Sequence, residues 1–451
     1  MKMKYSLIFL LCSIILLGAC SDNWLELKRD IKLVVPKSTE DILALLDNFD
    51  VMNVDGPNIG EIGSDDFYVS GDAWRALRYA PERNAYLWSD DIFENIESLE
   101  WNKCYQRIFY ANVALDAFEE LDAEQQLMNQ NLKGMALFHR SWNYFHLTQL
   151  FCMSYHPDTE NSTLGVPMRL TADINEQIRR PNIKTTYDQI ISDLTVALTL
   201  VNERENRSTR PDKRAVLGLL AKVYLVMGNY ENALASADSC LIMEPILLDY
   251  KQLYDGNMSD YPFTKFNDET IFYSEMSAAS IFLGEYMMNN VLRDSYEAND
   301  LRRIIFWGNL SGREEFVGSY SGTLFFFNGI SWDEIYLIRA ECYAREGDLV
   351  NGQNDLNYFL RNRYDSTYQD IQFNSEVELL ERVLKERRKQ LVFRGIRWSD
   401  LKRLNAIDNM NLTLQRKIDD KLFELRPNDL RYALPIPDQV IRLNNIEQNE
   451  R

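Results

Sequence analysis

Small and large apolar residues recur between residues 217 and 245 at the offsets of a helix–turn–helix unit. Leu220, Ala221 and Tyr224 fall in the first helix, and Gly228 takes the turn. Tyr230 follows, Ala233 sits where the two helices touch, and Pro245 closes the unit. Small residues let the paired helices approach, and Tyr230 is expected to fill the groove between them. The scheme returns from Glu334 in Leu337, Ala340, Tyr343, Gly347, Leu349 and Leu356. Residues 102–118 with 132–151 make a further pair that keeps the spacing less closely. A single pair cannot bury its apolar face alone, so the pairs must stack. The pairs are too far apart in sequence for a continuous array, and the stretches between them must fold on the scaffold.

Repeats of this form, about 34 residues long, are the tetratricopeptide type. Apolar spacing of three or four predicts helices over residues 101–121, 132–151, 188–202, 215–227, 230–243, 332–345, 351–363, 377–392 and 398–405. Strand signals are confined to 270–274, 322–327 and 433–436. The expected fold class is mostly α: a tetratricopeptide-like helix-pair scaffold with irregular, loop-rich insertions and few short strands.

Charge narrows the partners. Lys and Arg number 49 against 68 Asp and Glu, a net charge of −19. Phosphate backbones need a basic surface, so nucleic acid is not an expected partner. The N-terminus reads as an export signal over residues 1–19: Lys2 and Lys4 precede an apolar stretch from Tyr5 to Leu17. It ends in Leu17-Gly18-Ala19-Cys20, which resembles a bacterial lipobox. That motif implies cleavage before Cys20 and a lipid anchor on it; an unlipidated signal with a chance cysteine is the alternative. Further along, no apolar run approaches the roughly 20 residues that span a bilayer. Residues 20–451 are expected to form a single helical domain. Its N-terminal part covers about 20–245 with an insertion at about 56–88, and its C-terminal part about 250–451 with an insertion at about 250–332.

Catalytic signals are weak. Cys104, Cys152, Cys240 and Cys342 are far apart in apolar helical settings, which points to small buried residues and not to disulfides. His139 and His146 share a helix face among aromatics, and a metal site there would lack a third ligand. No nucleophile elbow, phosphate loop or zinc-protease motif occurs. The acidic pairs Asp65-Asp66, Asp90-Asp91 and Asp419-Asp420 leave a carboxylate-pair hydrolase open, because spacing across a cleft is invisible in sequence. The run from Lys385 to Lys389 reads as a solvated helix face with internal salt bridges. No cofactor, metal or catalytic residue is expected.

Aromatic residues make up 12% of the chain, and the insertions are rich in them. Rings beside amides, carboxylates and Arg can stack on sugar rings while the polar groups take the hydroxyls, although most rings in any protein are core. Trp74, Tyr79, Trp88, Tyr286, Tyr296 and Trp307 are the candidate ligand-binding residues, chosen for their position in the two insertions.

These features together resemble the SusD/RagB family of Bacteroidetes outer-membrane nutrient-binding lipoproteins. The lipobox at Cys20 is the first point of likeness, and the polar run from Ser21 is similar to the surface-export signal of such lipoproteins. Trp101-Asn102 with Tyr105, Ile108 and Ala111-Asn112 looks like the first repeat helix. The run from Ala136 to Arg140 and on to Leu150-Phe151 resembles its partner, with Gly165-Val166-Pro167 as the loop beyond. Similar blocks follow in order: Arg180-Pro181 to Leu194, Ala221 to Leu225 with Gly228-Asn229-Tyr230, and Glu334 to Glu341. Glu386 to Leu391, Gly395 to Arg403 and Pro435-Ile436-Pro437 complete the series.

The resemblance implies a lid on a SusC-like TonB-dependent transporter at the cell surface. The lid binds an oligosaccharide, or in some branches a peptide, and hands it over without chemistry. A surface glycan hydrolase is the disfavoured third reading. The matching blocks are scaffold and carry no ligand residues across, and a Trp like Trp88 is widespread in the family, which makes it the riskiest of the six candidates. The chain is short for the family, which implies trimmed insertions and a shallow site.

Overall fold

The computed structural model describes residues 36–254, 259–310 and 312–451. The signal segment 1–19, Cys20 and the polar run after it lie outside the described residues.

The scaffold helices are α1 (Thr39–Leu46), α2 (Leu99–Glu119), α3 (Gln130–Phe151), α4 (Ile183–Leu200) and α5 (Lys213–Val226). They continue as α6 (Tyr230–Leu241), α7 (Trp332–Arg345), α8 (Leu349–Arg361), α9 (Glu376–Gln390) and α10 (Arg397–Ala406). Capping residues set where they begin. Ser98 accepts from the N–H of Trp101 at 3.2 Å and starts α2. Asn182 accepts from the N–H of Thr185 at 2.8 Å, so α4 begins before the apolar spacing at 188 shows it. Asn229 and Asp348 cap α6 and α8 in the same way.

From α2 to α8 each helix packs on the next in sequence, so one row of helices forms. The row closes between α6 and α7 although the second insertion leaves the scaffold there. The array is therefore continuous in space where the sequence spacing argued against it. Ala233, Ala237, Ala340 and Ala344 are buried at these contacts and let the axes approach. Tyr230 packs half-buried against the core, with the Arg345 guanidinium 4.4 Å from its ring centre. Gly228 turns the chain at φ +73°, where a Cβ would also meet Ile407 at 2.9 Å.

Among the described residues, four antiparallel two-stranded ladders complete the fold. The strands are β1 (Phe67–Tyr68), β2 (Thr270–Phe272), β3 (Met287–Met288), β4 (Trp307–Leu310), β5 (Arg313–Phe316), β6 (Ile330–Ser331), β7 (Leu414–Ile418) and β8 (Lys421–Leu425). Pairing joins β1 to β3, β2 to β6, β4 to β5 and β7 to β8. Two expected strands do not form. In 322–327 side chains take the backbone groups, as where Ser319 Oγ accepts from the Phe327 N–H at 3.0 Å. In 433–436 the Leu434 N–H donates to Leu150 O at 2.8 Å and the Ile436 N–H to Gln448 Oε1 at 2.7 Å. A backbone satisfied this way has no need of a ladder.

The 385–389 run is also not a solvated face. Glu386, Arg387 and Lys389 are buried. Lys389 Nζ reaches Glu297 at 2.7 Å, Glu386 at 3.1 Å and Asp300, while Arg387 Nε donates to Asp400 at 2.8 Å. Arg388 binds Asp65 and Asp66, each at 3.0 Å. The run thus ties α9 to both insertions and to α10. Burial is tolerated because each charge has opposite partners. The four cysteines, by contrast, are free and buried as expected.

Candidate functional site

The two insertions are joined to each other. Phe67 and Tyr68 of β1 pair with Met288 and Met287 of β3. Asn58 Nδ2 donates to Ser277 O and to its Oγ, both at 2.9 Å. The Glu82 carboxylate accepts from the N–H groups of Ser280 and Ile281, each at 2.9 Å. Glu82 is buried and sits in the short helix Ala80–Tyr86.

Two clefts open along this seam. One, of about 330 Å³, is lined by Asn58, Tyr79, Glu82, Glu97, Glu100 and Asn102. The other, of about 520 Å³, lies between Asp72, Ala73, Ala76, Leu77 and Arg78 on one wall and Ser280, Gly284 and Glu285 on the other. The short helix Gly71–Ala76 forms part of the second wall; Ser70 caps it and Arg75 holds it to Asp72 at 2.7 Å and Asp419 at 2.6 Å.

In the first cleft the Tyr79 ring is 37% exposed, and its hydroxyl donates to Glu97 O at 3.3 Å. Asn102 Nδ2 donates to Glu97 Oε2 at 3.1 Å. Glu100 is buried, and its carboxyl is raised above the usual range first by burial and further by the Glu82 charge. Burial pushes the Tyr79 phenol up to about 12, helped by Glu100 and Glu82. Three carboxylates and no basic side chain line this cleft. It offers one ring face, two amides and a negative field, which suit a neutral polyhydroxylated ligand and repel an anionic one.

Of the six candidates, Tyr79 lines the first cleft and Trp74 is half-buried beside the second, its Nε1 donating to Arg83 O at 3.1 Å. The other four are core. Trp88 is 2% exposed, donates to Gly63 O at 2.9 Å, and lies under the Arg416 guanidinium. The Tyr286 hydroxyl accepts from the Phe316 N–H at 3.0 Å, and its ring packs in a cluster with Phe67, Phe282 and Phe393. Trp307 joins the same cluster through Phe316 and Phe393. Tyr296 is buried and donates to Lys389 O at 2.8 Å. None of these four presents a ring face to a sugar. Sequence reasoning missed Asn58, Glu82, Glu97, Glu100 and Asn102. The one available signal was the Ser98 cap, which places Glu97, Glu100 and Asn102 around the start of α2.

Burial lowers His139 and His146 to about 3, so both imidazoles are neutral and packed against Trp142 or Phe272. Among the described residues no group of three or more His, Cys, Asp or Glu is placed to hold a metal ion. No helix among them is long and apolar enough to cross a membrane.

Residues 23–225 match a family model described as starch-binding and associating with the outer membrane, and residues 333–450 match the model of the SusD family. SusD-like protein P2 of Formosa agariphila is 25% identical over 186 residues, 40% of this chain. The match spans 34% of that relative's length. A SusD superfamily protein from Bacteroides thetaiotaomicron superposes with a TM-score of 0.74 at 23% identity, covering 92% of this chain and all of its own. A SusD-like carbohydrate-binding protein from Bacteroides vulgatus gives 0.68 at 20% identity, covering 91% of this chain and 97% of that one. A laminarin-binding SusD-like protein gives 0.63 at 18% identity, covering 92% of this chain and 99% of that one. At these identities the likeness establishes the fold.

Proposed function

Since the chain belongs to the SusD/RagB family, we propose that it is a non-catalytic surface lipoprotein that captures a neutral oligosaccharide and delivers it to a SusC-like TonB-dependent transporter. Lipid on Cys20 anchors it to the outer membrane, and the row α2–α8 is the scaffold that meets the transporter. The glycan lies along the seam between the insertions, across the two clefts that flank residues 77–81. The observation that carries this reading is the half-exposed Tyr79 ring set among Asn58, Glu97 and Asn102. An apolar sugar face stacks on the ring, and the amides and the exposed Glu97 carboxylate take hydroxyls. The carbohydrate-binding and laminarin-binding relatives support a glycan ligand.

The acidic lining sharpens the class. With Glu82, Glu97 and Glu100 around the first cleft, uronate-rich or sulfated glycans are disfavoured. A binding screen against neutral glycans, acidic glycans and peptides tests the reading. Binding confined to neutral glycans supports it; binding confined to peptides would replace it with a peptide-capturing lid on the same scaffold.

A further inference from the structure

A third cavity, of about 630 Å³, shares no lining residue with either cleft. Its walls come from the start of the short helix Phe49–Met52, the loop 204–209, the turn 266–270 and the head of α7. The loop is held firmly from behind: the Tyr273 N–H donates to Ser208 O at 2.7 Å, and Asn53 Nδ2 donates to Thr209 O at 3.1 Å. Arg210 pairs with Asp47 and fixes the far end.

Two features of this cavity are costly in the protein alone. Phe266 stands 48% exposed at its edge with φ +60°, a left-handed conformation that a bulky side chain avoids. Its neighbour Tyr273 packs edge-on at 4.7 Å and holds the ring in place. Deeper in, Thr270 is only 8% exposed and its Oγ1 has no hydrogen-bond partner; the Ser208 Oγ is also buried and unpartnered. Buried hydroxyls without partners are rare, and each is costly unless something completes it. Arg207 and Asp268 line the cavity with no ion pair to a described residue, one charge of each sign.

We propose that this cavity is a second sugar-binding site, separate from the seam between the insertions. An exposed ring, two hydroxyls that can each donate and accept, and balanced charges match the two faces of one neutral sugar unit. The apolar face of the sugar lies on Phe266, and its hydroxyls complete Thr270 and Ser208 once a χ1 rotation turns these buried oxygens to the cavity. The strained backbone at Phe266 is retained because it presents the ring.

Saturation-transfer NMR on the purified protein with glucose, galactose, mannose and xylose at millimolar concentration tests this. The variants are chosen to keep the fold. Phe266→Gly removes the ring and accepts the left-handed φ. Thr270→Val keeps the shape and removes a hydroxyl that bonds to nothing in the protein. Tyr79→Ala disables the seam. At least one sugar is expected to receive saturation in Tyr79→Ala. Added to Tyr79→Ala, Thr270→Val should weaken that binding about fivefold, the loss of one hydrogen bond, with melting temperature unchanged or raised; Phe266→Gly added to Tyr79→Ala should abolish it. If no sugar receives saturation in Tyr79→Ala, or if Phe266→Gly and Thr270→Val added to Tyr79→Ala leave the transfer unchanged, the site does not exist. Sugar binding lost in Tyr79→Ala and intact in the other two would uphold the seam and overturn this proposal.

Discussion

Glu82 in the first insertion and Ser280 in the second are joined at one carboxylate, which takes the Ser280 N–H at 2.9 Å and the neighbouring Ile281 N–H at 2.9 Å. These donors start the short helix Ser280–Leu283, so an acid from one insertion caps a helix of the other. Both clefts border this contact. Glu82→Ala leaves two buried or half-buried N–H groups without an acceptor and should cost about 2–3 kcal/mol. Urea unfolding measures that loss, and glycan affinity should fall with it because both cleft walls loosen.

Trp88 gives the opposite signature. Its ring fills the core beneath Arg416, and its Nε1 is used inside the protein. Trp88→Ala should destabilise by about 3–5 kcal/mol. Trp88→Phe, which folds more readily, should bind glycan with wild-type affinity in calorimetry. A selective loss of binding at full stability would place Trp88 at the ligand instead.

Lys389 tests the buried charge network. It meets Glu297, Asp300 and Glu386 with no exposure of its own. Lys389→Met leaves three carboxylates around an apolar side chain and should cost on the order of 3–5 kcal/mol. Chemical denaturation should report that cost. A solvated helix face would lose less than about 0.5 kcal/mol.

Glu61 makes stability depend on pH. Its carboxyl is buried and raised to about 8, first by burial and then by the Asp66 charge. The folded state therefore prefers the protonated acid. The resulting stabilisation is complete below the ordinary carboxyl value and is lost as pH rises through about 8. Glu61→Gln removes this loss, so the variant should gain on the wild type by on the order of 3 kcal/mol between pH 5 and pH 8. Melting curves at the two pH values check it; parallel shifts for both proteins would contradict the assignment.

The scaffold was legible because helix pairs write themselves into apolar spacing, turn glycines and caps. Helix α7 begins and ends where the spacing puts it, and α2 and α3 differ by about two residues. The hairpin β7–β8 was hidden for a local reason: Arg416 occupies an inward position between Leu414 and Ile418 and breaks the apolar alternation. Its guanidinium instead serves backbone carbonyls, including Ile62 O at 3.0 Å.

The site was harder to read. An exposed ring and a buried ring have the same letter, and only the partner across the seam decides which is which. Tyr79 stays open over the first cleft, whereas Tyr286 and Trp307 close on Phe393, a residue far along the chain. The buried 385–389 run hid for the same reason, since its partners Glu297 and Asp300 lie in the other insertion.

Calorimetric titration of a panel of neutral oligosaccharides into the wild type and into Tyr79→Ala tests the central claim most directly. At least one neutral glycan should bind the wild type, and Tyr79→Ala should weaken that binding at least about tenfold, as loss of a stacking ring does, while its melting temperature stays within a few degrees. Equal affinity in the two proteins, or binding by acidic glycans alone, would contradict a glycan seated on the seam between the insertions.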